Sequence, residues 1–524
     1  MKNRIKQYLL AASMCVGLTA CSDFFEPIPG VQFGLDETFA SKQRTEEYLN
    51  NVYSYVREVT DAIHPNTYGG IFTEASLDGA NRWNKTYAEW TNGSFNSASA
   101  QASEYFSKYY QAIAKASTFI QNVDKCTEAA ASTRGKWKSE ARALRAYYYF
   151  ELLRLYGPIP LIGEDPIPLD ASLEELIKER NSVDECVNFI ATELQSAIDS
   201  GDLLQRAGKA NLGRMDVATC MALKAKLYLY WASPLFNGNT DQASVKNKDG
   251  RQLFPQTEDN SKWTQARDAY ERFMTFATGQ GYKLTEVYTN GKLDPYASCR
   301  AAGEFFTTTW EAVDELIFVK LRDLYDYTYW VCPKFTDFQD TDVTGGGGYY
   351  TTQETVDLFF TKDGLTIEED PGYDKFEGIP SANNFTSGRY YDPNNPSRLY
   401  FDADKSKVLK QWKDREPRFY VNITYSGSIW LNEGKYNEEM RTDFTNGANG
   451  TCGKSKASGD CPDSGYLIRR GAKASNNNGS KHFSPVLRLA DMYLGYAEAL
   501  CMCSDLDNAL TYLNKIRVRA GIPE

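Results

Sequence analysis

Histidine is almost absent from this chain, which has only His64 and His482 among its 524 residues. Neither histidine lies in an HExxH motif, and no group of cysteines and histidines has the spacing of a zinc site. The chain also contains no GxSxG motif. The segment nearest to a phosphate-binding loop, residues 447–455, has its glycines separated by five residues instead of four. These absences argue against zinc-dependent enzymes, serine hydrolases and phosphate-loop enzymes.

Long apolar runs are also missing, because no stretch approaches the ~20 residues of a membrane-spanning helix. Residues 1–20 have a basic start followed by the apolar run Tyr8–Leu18, which is typical of a secretory signal. The signal ends in Leu18-Thr19-Ala20-Cys21, which resembles a bacterial lipobox with Cys21 as the lipid-bearing N-terminus. The sequence therefore predicts a membrane-anchored lipoprotein whose body is soluble.

Positive charge is in deficit, with 58 Lys and Arg against 69 Asp and Glu and a net charge of −11. Loss of the signal, which carries three basic and no acidic residues, changes the net charge to −14. Such an acidic chain is poorly suited to nucleic acid or an anionic lipid surface as its primary partner. We expect a ligand that is neutral or of mixed charge.

Cysteines form no evident framework. Nine remain after Cys15 and Cys21, so at least one would stay unbridged. Cys452 and Cys461 flank a polar segment and could close a small loop in an exported protein. Four others lie in helical patterns beside apolar residues and are predicted to be buried thiols: Cys126, Cys186, Cys220 and Cys501.

The clearest structural signal is the segment Lys136–Leu161, KWKSEARALRAYYYFELLRLYGPIPL. Its apolar residues recur at steps of three and four, which places them on one face of an α-helix. Tyr147, Phe150 and Leu153 widen that face and predict burial between two neighbours. Gly157 and Pro158 end the helix. The residues of the face are Ala141, Leu144, Tyr148, Leu152 and Leu155.

Other helices follow in pairs. A helix is expected at about residues 45–57 and another at 103–123, the latter packing against the segment above. Ser182 and Glu185 form a capping box for the next helix, and its partner at 217–231 is apolar nearly all round. A further helix begins near Trp263, and Pro485 is expected to open the last pair. Helical hairpins that cannot bury their faces alone are typical of a repeat stack, although the regular tetratricopeptide signature is absent.

Four stretches together resemble the SusD/RagB family of outer-membrane nutrient-binding lipoproteins, which serve glycan uptake in Bacteroidetes. They are the segment ending in EARALRAYYYFELLRLYGPIPL, then TTQETVDLFFTKDG from Thr351, QWKDREPRFYVNITYSGSIW from Gln411, and SPVLRLADMYLGYAEAL from Ser484 to the end at RAGIPE. The resemblance implies a mainly α fold of degenerate tetratricopeptide-like hairpins with a large loop-rich lobe. It also implies binding without catalysis, an anchor in the outer membrane facing the cell exterior, and a SusC-like TonB-dependent transporter as partner.

This resemblance divides the chain into a signal at residues 1–20, a tether at 21–42 and an N-terminal helical region at 43–233. A loop-rich middle lobe follows at 234–481 and a C-terminal hairpin at 482–524. Family members usually continue past RAGIP with another helix, so we expect that segment to be missing here.

Aromatic residues inside polar loops indicate the ligand. The chain has 35 Tyr and 9 Trp, and flat rings bury the apolar face of a sugar while polar neighbours pair with its hydroxyls. Two loop segments, residues 78–92 and 323–330, have this mixture, although such rings also seal loops onto a scaffold. The predicted glycan-binding residues are Asp78, Arg82, Trp83, Trp90, Asn92, Tyr327, Tyr329 and Trp330.

Several alternatives stay open at this stage. A surface glycoside hydrolase needs only two suitably spaced carboxylates, and a peptide-binding relative would need fewer aromatic contacts. No cofactor is expected; Asp337, Asp340 and Asp342 could hold calcium but do not follow the EF-hand order. The glycine run at 345–348 is interpreted as a flexible turn, or as a loop that moves or approaches a ligand closely.

Overall fold

The computed structural model describes most of the chain from residue 34 onward. The described residues are 34–56, 76, 79–82, 93–163, 165, 167, 171–303, 314–322, 329–335, 345–375, 378–431, 441–445, 452–453, 460–472 and 482–523.

Helices dominate the described residues, as the sequence predicted. Their bounds are α1 Leu35–Ala40, α2 Lys42–Tyr53, α3 Ala100–Asn122, α4 Ala131–Tyr156, α5 Leu173–Leu176, α6 Val183–Asp199, α7 Val217–Ala232, α8 Ser261–Gly279, α9 Pro295–Gly303, α10 Gln353–Asp357, α11 Pro417–Asn422, α12 Leu489–Met502 and α13 Leu506–Ala520.

The long helices pack in chain order, each against the next. Helix α3 packs on α4, α4 on α6, α6 on α7, α7 on α8, α8 on α12 and α12 on α13. One large hydrophobic core runs through this stack. The expected fold class is confirmed: helical hairpins share a core that no single pair could bury.

Helix α4 lies at the centre of the stack and carries the apolar face predicted for it. Residues 143–153 of α4 are all buried, so the helix is covered on every side along that stretch. The rings of Tyr148 and Tyr109 of α3 stack at 5.9 Å, and Tyr148 Oη donates to the carbonyl of Val52 at 2.5 Å. The helix ends at Tyr156, and Gly157 follows it with a positive φ that a side chain would disfavour.

A buried ion pair joins the central helices. Arg145 of α4 is fully buried and donates from Nε to Glu193 of α6 at 2.8 Å and from Nη1 to Ser117 of α3 at 3.0 Å. A buried guanidinium is tolerated only when it is paired and hydrogen-bonded. This contact therefore fixes the relative positions of α3, α4 and α6.

The helix ends follow the signals in the sequence. Ser182 and Glu185 form the predicted capping box of α6, and Asp216 caps α7 by accepting from the Thr219 amide. The helix expected at about 45–57 is α2, which begins earlier because Ser41 is its N-cap.

Most strands lie in the part of the chain predicted to be loop-rich, residues 234–481, and two lie outside it, at 80–81 and 482–488. The strands are β1 Ala80–Asn81, β2 Tyr288–Thr289, β3 Lys292–Leu293, β4 Leu316–Arg322, β5 Tyr349–Tyr350, β6 Arg389–Asp392, β7 Asn395–Asp402, β8 Ile423–Tyr425, β9 Tyr466–Ile468 and β10 His482–Arg488. Among the described residues, one sheet has four strands in the order β1-β5-β9-β8, and three strand pairs are β10-β4, β2-β3 and β6-β7.

Two smaller aromatic cores hold this region together. One is built around Trp430, Tyr349 and Phe335, and the other around Trp412, Tyr420 and Tyr425. The interpretation of the region as irregular but folded agrees with these cores.

Two local predictions were wrong. Pro485 lies inside strand β10, where bulges at 485–488 accommodate it opposite β4, and the helix begins only at Leu489. Cys501 was predicted to be buried but is exposed. It follows Leu500, which belongs to the buried face of α12, and points away from that face. Cys126, Cys186 and Cys220 are buried as predicted.

Within the described ranges, no helix is both long enough and apolar enough to cross a membrane.

Candidate functional site

Three of the predicted glycan-binding residues, Arg82, Tyr329 and Trp330, belong to the described part of the chain. The remaining predicted positions lie outside the described residues: Cys21, Asp78, Trp83, Trp90, Asn92 and Tyr327, together with the candidate calcium residues Asp337, Asp340 and Asp342.

The glycine run at 345–348 lies against the segment 329–333. Its four amides donate to carbonyls of that segment at 2.7–3.0 Å, so the two segments are joined along their backbones. All four glycines are buried. The pairs are Gly345 to Pro333, Gly346 to Tyr329, Gly347 to Cys332 and Gly348 to Trp330.

Glycine is required here by close packing. A Cβ at Gly346 would lie 2.4 Å from the ring of Trp330 and 2.8 Å from the ring of Tyr329. A Cβ at Gly345 would lie 2.4 Å from the carbonyl oxygens of Tyr329 and Cys332. The interpretation of this run as a flexible turn is therefore wrong, because the glycines are buried, hydrogen-bonded and packed against two predicted ligand-binding rings.

Tyr329 and Trp330 form an edge-to-face pair. Their ring centroids are 4.9 Å apart with an interplanar angle of 84°. Both residues are half-buried. This arrangement offers rigid apolar surface for a sugar face at little cost in side-chain entropy.

Arg82 approaches the same place from the first predicted loop. Strand β1 pairs with β5, directly after the glycine run, and the amide of Arg82 donates to the carbonyl of Gly348 at 3.0 Å. Gly348 in turn donates to Trp330. The described residues of the two segments singled out in the sequence are thus joined through the glycine run, and we call Arg82, Tyr329 and Trp330 the platform.

A third segment, residues 460–466, completes the surroundings of the platform. Arg82 Nη1 donates to the carbonyl of Cys461 at 2.8 Å and to Asp463 at 2.7 Å. Lys334 forms an ion pair with Asp460. Sequence reasoning missed these acidic partners, because nothing local to residues 460–463 relates them to a loop several hundred residues earlier.

The cysteines near the platform are buried side chains of the protein interior. Cys332 and Cys452 lie in the core built around Trp430, and burial raises the pKa of the Cys332 thiol, with nearby Cys452 adding to the effect. Cys461 is also buried. In the described part of the chain, no three or more His, Cys, Asp or Glu side chains are grouped as a metal site would require. The arrangement is suited to binding by stacking and hydrogen bonds.

Two family models match the chain. The model described as "SusD family" matches residues 315–524, and the model described as "Starch-binding associating with outer membrane" matches residues 32–229. The first range contains Tyr329 and Trp330, and the second contains Arg82. The platform therefore combines residues from both matched ranges.

Known proteins share the fold. A SusD-like protein from Bacteroides ovatus is 27% identical over 175 residues, and the match spans 32% of this chain and 30% of the relative's length. The solved structure of BT4246 has a TM-score of 0.74 and 24% identity, covering 92% of this chain and 83% of that chain. Surface glycan-binding protein A from Bacteroides thetaiotaomicron has a TM-score of 0.53 and 13% identity, covering 93% and 84%. At such identities the structural likeness shows the fold.

Proposed function

Because the chain belongs to the SusD family, we propose that it captures oligosaccharide at the cell surface and delivers it to a TonB-dependent transporter in the outer membrane. The observation that carries the proposal is the platform, in which a half-buried Tyr–Trp pair and an anchored arginine converge on one glycine-lined support. A structural neighbour named as a surface glycan-binding protein supports the ligand class.

The mechanism we propose is binding without turnover. The rings of Tyr329 and Trp330 would cover the apolar face of a sugar, and Arg82 with Asp463 would pair with its hydroxyls. Arg82 is already held by two acceptors, so little side-chain entropy remains to be lost when a sugar binds. Trp83, Trp90, Asp78, Asn92 and Tyr327 are proposed to extend this surface.

The proposed location follows from the N-terminus and the family description. One matched model describes proteins that associate with the outer membrane. A lipid on Cys21 would hold the body at that membrane, on its outer face, next to a SusC-like transporter. The net charge of −14 on the processed chain supports a neutral glycan over an anionic one.

The decisive experiment is affinity electrophoresis in gels that contain neutral polysaccharides, starch among them. Native protein should be retarded by at least one of them, and Trp330→Ala should lose most of that retardation. Removal of one stacking ring is expected to weaken binding by roughly tenfold, or about 1–2 kcal/mol. Trp83→Ala and Trp90→Ala test the proposed extension in the same gels.

Trp231→Ala is the matched control, since Trp231 is also half-buried but belongs to helix α7, where its indole donates to Asp184 at 2.6 Å. Its retardation should equal that of the native protein. Unchanged retardation of the Trp330 variant would contradict the platform. New reducing ends after incubation with the same glycans would contradict binding without turnover.

A further inference from the structure

The segment 460–466, which contacts Arg82, also borders a separate cavity of about 630 Å³. Ser464, Gly465 and Tyr466 form part of its wall, immediately after Asp463 in the chain. Arg82, Tyr329 and Trp330 are not among the residues that line it. Small-molecule sites typically have volumes of ~300–1,000 Å³, so this cavity has room for one or two sugar rings.

A chain of hydrogen bonds runs along the wall of the cavity. The Trp412 indole Nε1 donates to Tyr466 Oη at 2.9 Å, and Tyr466 Oη donates to Gln353 Oε1 at 2.7 Å. Gln353 Nε2 then donates to Asp357 Oδ1 at 2.7 Å. Trp412 and Tyr466 are buried, Gln353 is exposed and Asp357 is half-buried, so the chain leads from the core to the accessible surface.

These bonds fix the direction of each polar group. Burial raises the pKa of Tyr466 to about 12, so the phenol keeps the proton that it donates to Gln353. With its oxygen bound to Tyr466 and its nitrogen to Asp357, the Gln353 amide has only one orientation. Among the contacts described, the second N–H of Gln353 and the second oxygen of Asp357 have no partner, which leaves both available to a ligand hydroxyl. Groups ordered in advance in this way bind at low entropic cost.

The rest of the lining favours a neutral ligand with many hydroxyls. Asp357 and Lys375 bring opposite charges, and Lys375 is further balanced by Glu368 at 3.4 Å. Leu409, Pro380 and the half-buried Phe444 add apolar surface. An anionic ligand would meet Asp357, whereas sugar hydroxyls can donate to it and accept from Gln353.

We propose that this cavity is a second saccharide-binding site, distinct from the platform and specific for one or two neutral sugar rings. Its ligand class is that of the proposed function, but its residues are different, so either site can fail without the other. Because segment 460–466 borders both sites, a long oligosaccharide that spans them would bind more tightly than a short one through its raised effective concentration.

The experiment uses fluorine NMR of the full chain labelled with 5-fluorotryptophan. The chain has nine tryptophans, and Trp330→Phe and Trp412→Phe assign the reporters of the platform and the cavity. The probes are glucose, galactose, mannose, xylose and N-acetylglucosamine at high millimolar concentration, and simple dipeptides at the same concentration are the comparison. We expect at least one of them to shift the Trp412 resonance in a saturable manner.

Asp357→Asn and Gln353→Leu should abolish that shift while the Trp330 resonance responds as in the native protein. Asp363→Asn is the matched control, because Asp363 is exposed and pairs only with neighbouring Lys362 among the contacts described. Thermal unfolding of each variant verifies that it is folded.

Three outcomes would overturn the second site: a Trp412 resonance that no sugar moves, a response that survives in both cavity variants, or a response to dipeptides and not to sugars. A Trp330 resonance that never moves would contradict the platform and leave the cavity unaffected.

Discussion

Arg82 and Asp463, which are 381 positions apart in the chain, form an ion pair of 2.7 Å that joins the platform to the segment 460–466. The guanidinium is mostly buried, with 18% of its side chain exposed, whereas Asp463 is half exposed. The same Nη1 atom also donates to the carbonyl of Cys461. This pair connects the first predicted ligand-binding loop to a segment in which sequence analysis placed no binding residue.

Arg82→Ala should weaken glycan binding more than it weakens the fold. A partly exposed ion pair contributes at most about 1 kcal/mol to stability, whereas hydrogen bonds from a charged group to a ligand contribute about 1.5–3 kcal/mol. We expect the dissociation constant measured by calorimetry to rise roughly tenfold or more. The control is Arg251→Ala, which removes an exposed ion pair with Glu185 on the scaffold. If the two variants bind glycan with equal affinity, Arg82 does not contribute to the binding site.

Gly346→Ala should displace the rings of the platform. The added methyl group would lie 2.4 Å from the Trp330 ring, and relief of such overpacking costs about 1–3 kcal/mol. Glycan affinity should fall, and the fluorescence of Trp330 should change. Gly279→Ala is the matched control at the end of α8, where a Cβ meets nothing within 4 Å. If Gly346→Ala binds glycan normally, the glycine run does not position the rings.

Asp216 should make stability depend on pH. It is buried at the N-cap of α7, accepts from the amides of Thr219 and Ala207 at 2.7 Å, and burial raises its pKa to about 6. Between the usual value of 3.8 and 6, the native state binds the proton more tightly than the unfolded state. The free energy of unfolding should therefore fall as pH rises through this window, by about 3 kcal/mol at most. Urea denaturation should show a flatter dependence in Asp216→Asn.

Glu185, at the start of the preceding helix α6, serves as a control for which stability should change with pH in the opposite direction. The Ser182 amide lowers the pKa of this carboxyl, so its contribution is present at neutral pH and is lost as pH falls through the folded-state pKa. Glu185→Gln should remove that loss at low pH and leave the Asp216 window unchanged.

Cys21→Ser should release the protein from the membrane. Without a thiol at the end of the LTAC motif no lipid can be attached. The apolar run Tyr8–Leu18 is too short to span a bilayer in its place. Fractionation of cells should move the variant out of the membrane fraction. Retention of Cys21→Ser in the outer membrane would show that the anchor lies elsewhere.

The helices could be predicted because their determinants are local. The apolar spacing of α4, its end before Gly157 and the capping box of α6 each lie within a few residues. The prediction that Pro485 opens a helix was wrong because β10, paired with β4, accommodates this proline at a bulge, and the pairing is not visible in the neighbouring residues. Local patterns therefore predicted that these helices form, but they did not predict that α12 begins at Leu489.

The candidate site was only partly predictable. Composition singled out Arg82, Tyr329 and Trp330, because aromatic and polar residues mixed within loops are locally visible. The role of Gly346 depends on contact with a segment that precedes it by sixteen residues, and the role of Asp463 depends on a residue from the other end of the chain. Tertiary contacts of this kind leave no periodic signal.

The support of Tyr329 and Trp330 consists of main-chain amides and glycine α-carbons, so it places no demand on the chemical identity of the rings above it. A different aromatic residue at position 330 would pack on the same glycine run and present a surface of a different shape. A single substitution at position 330 can therefore change the shape of this surface while the helices and the glycine run that supports it stay the same.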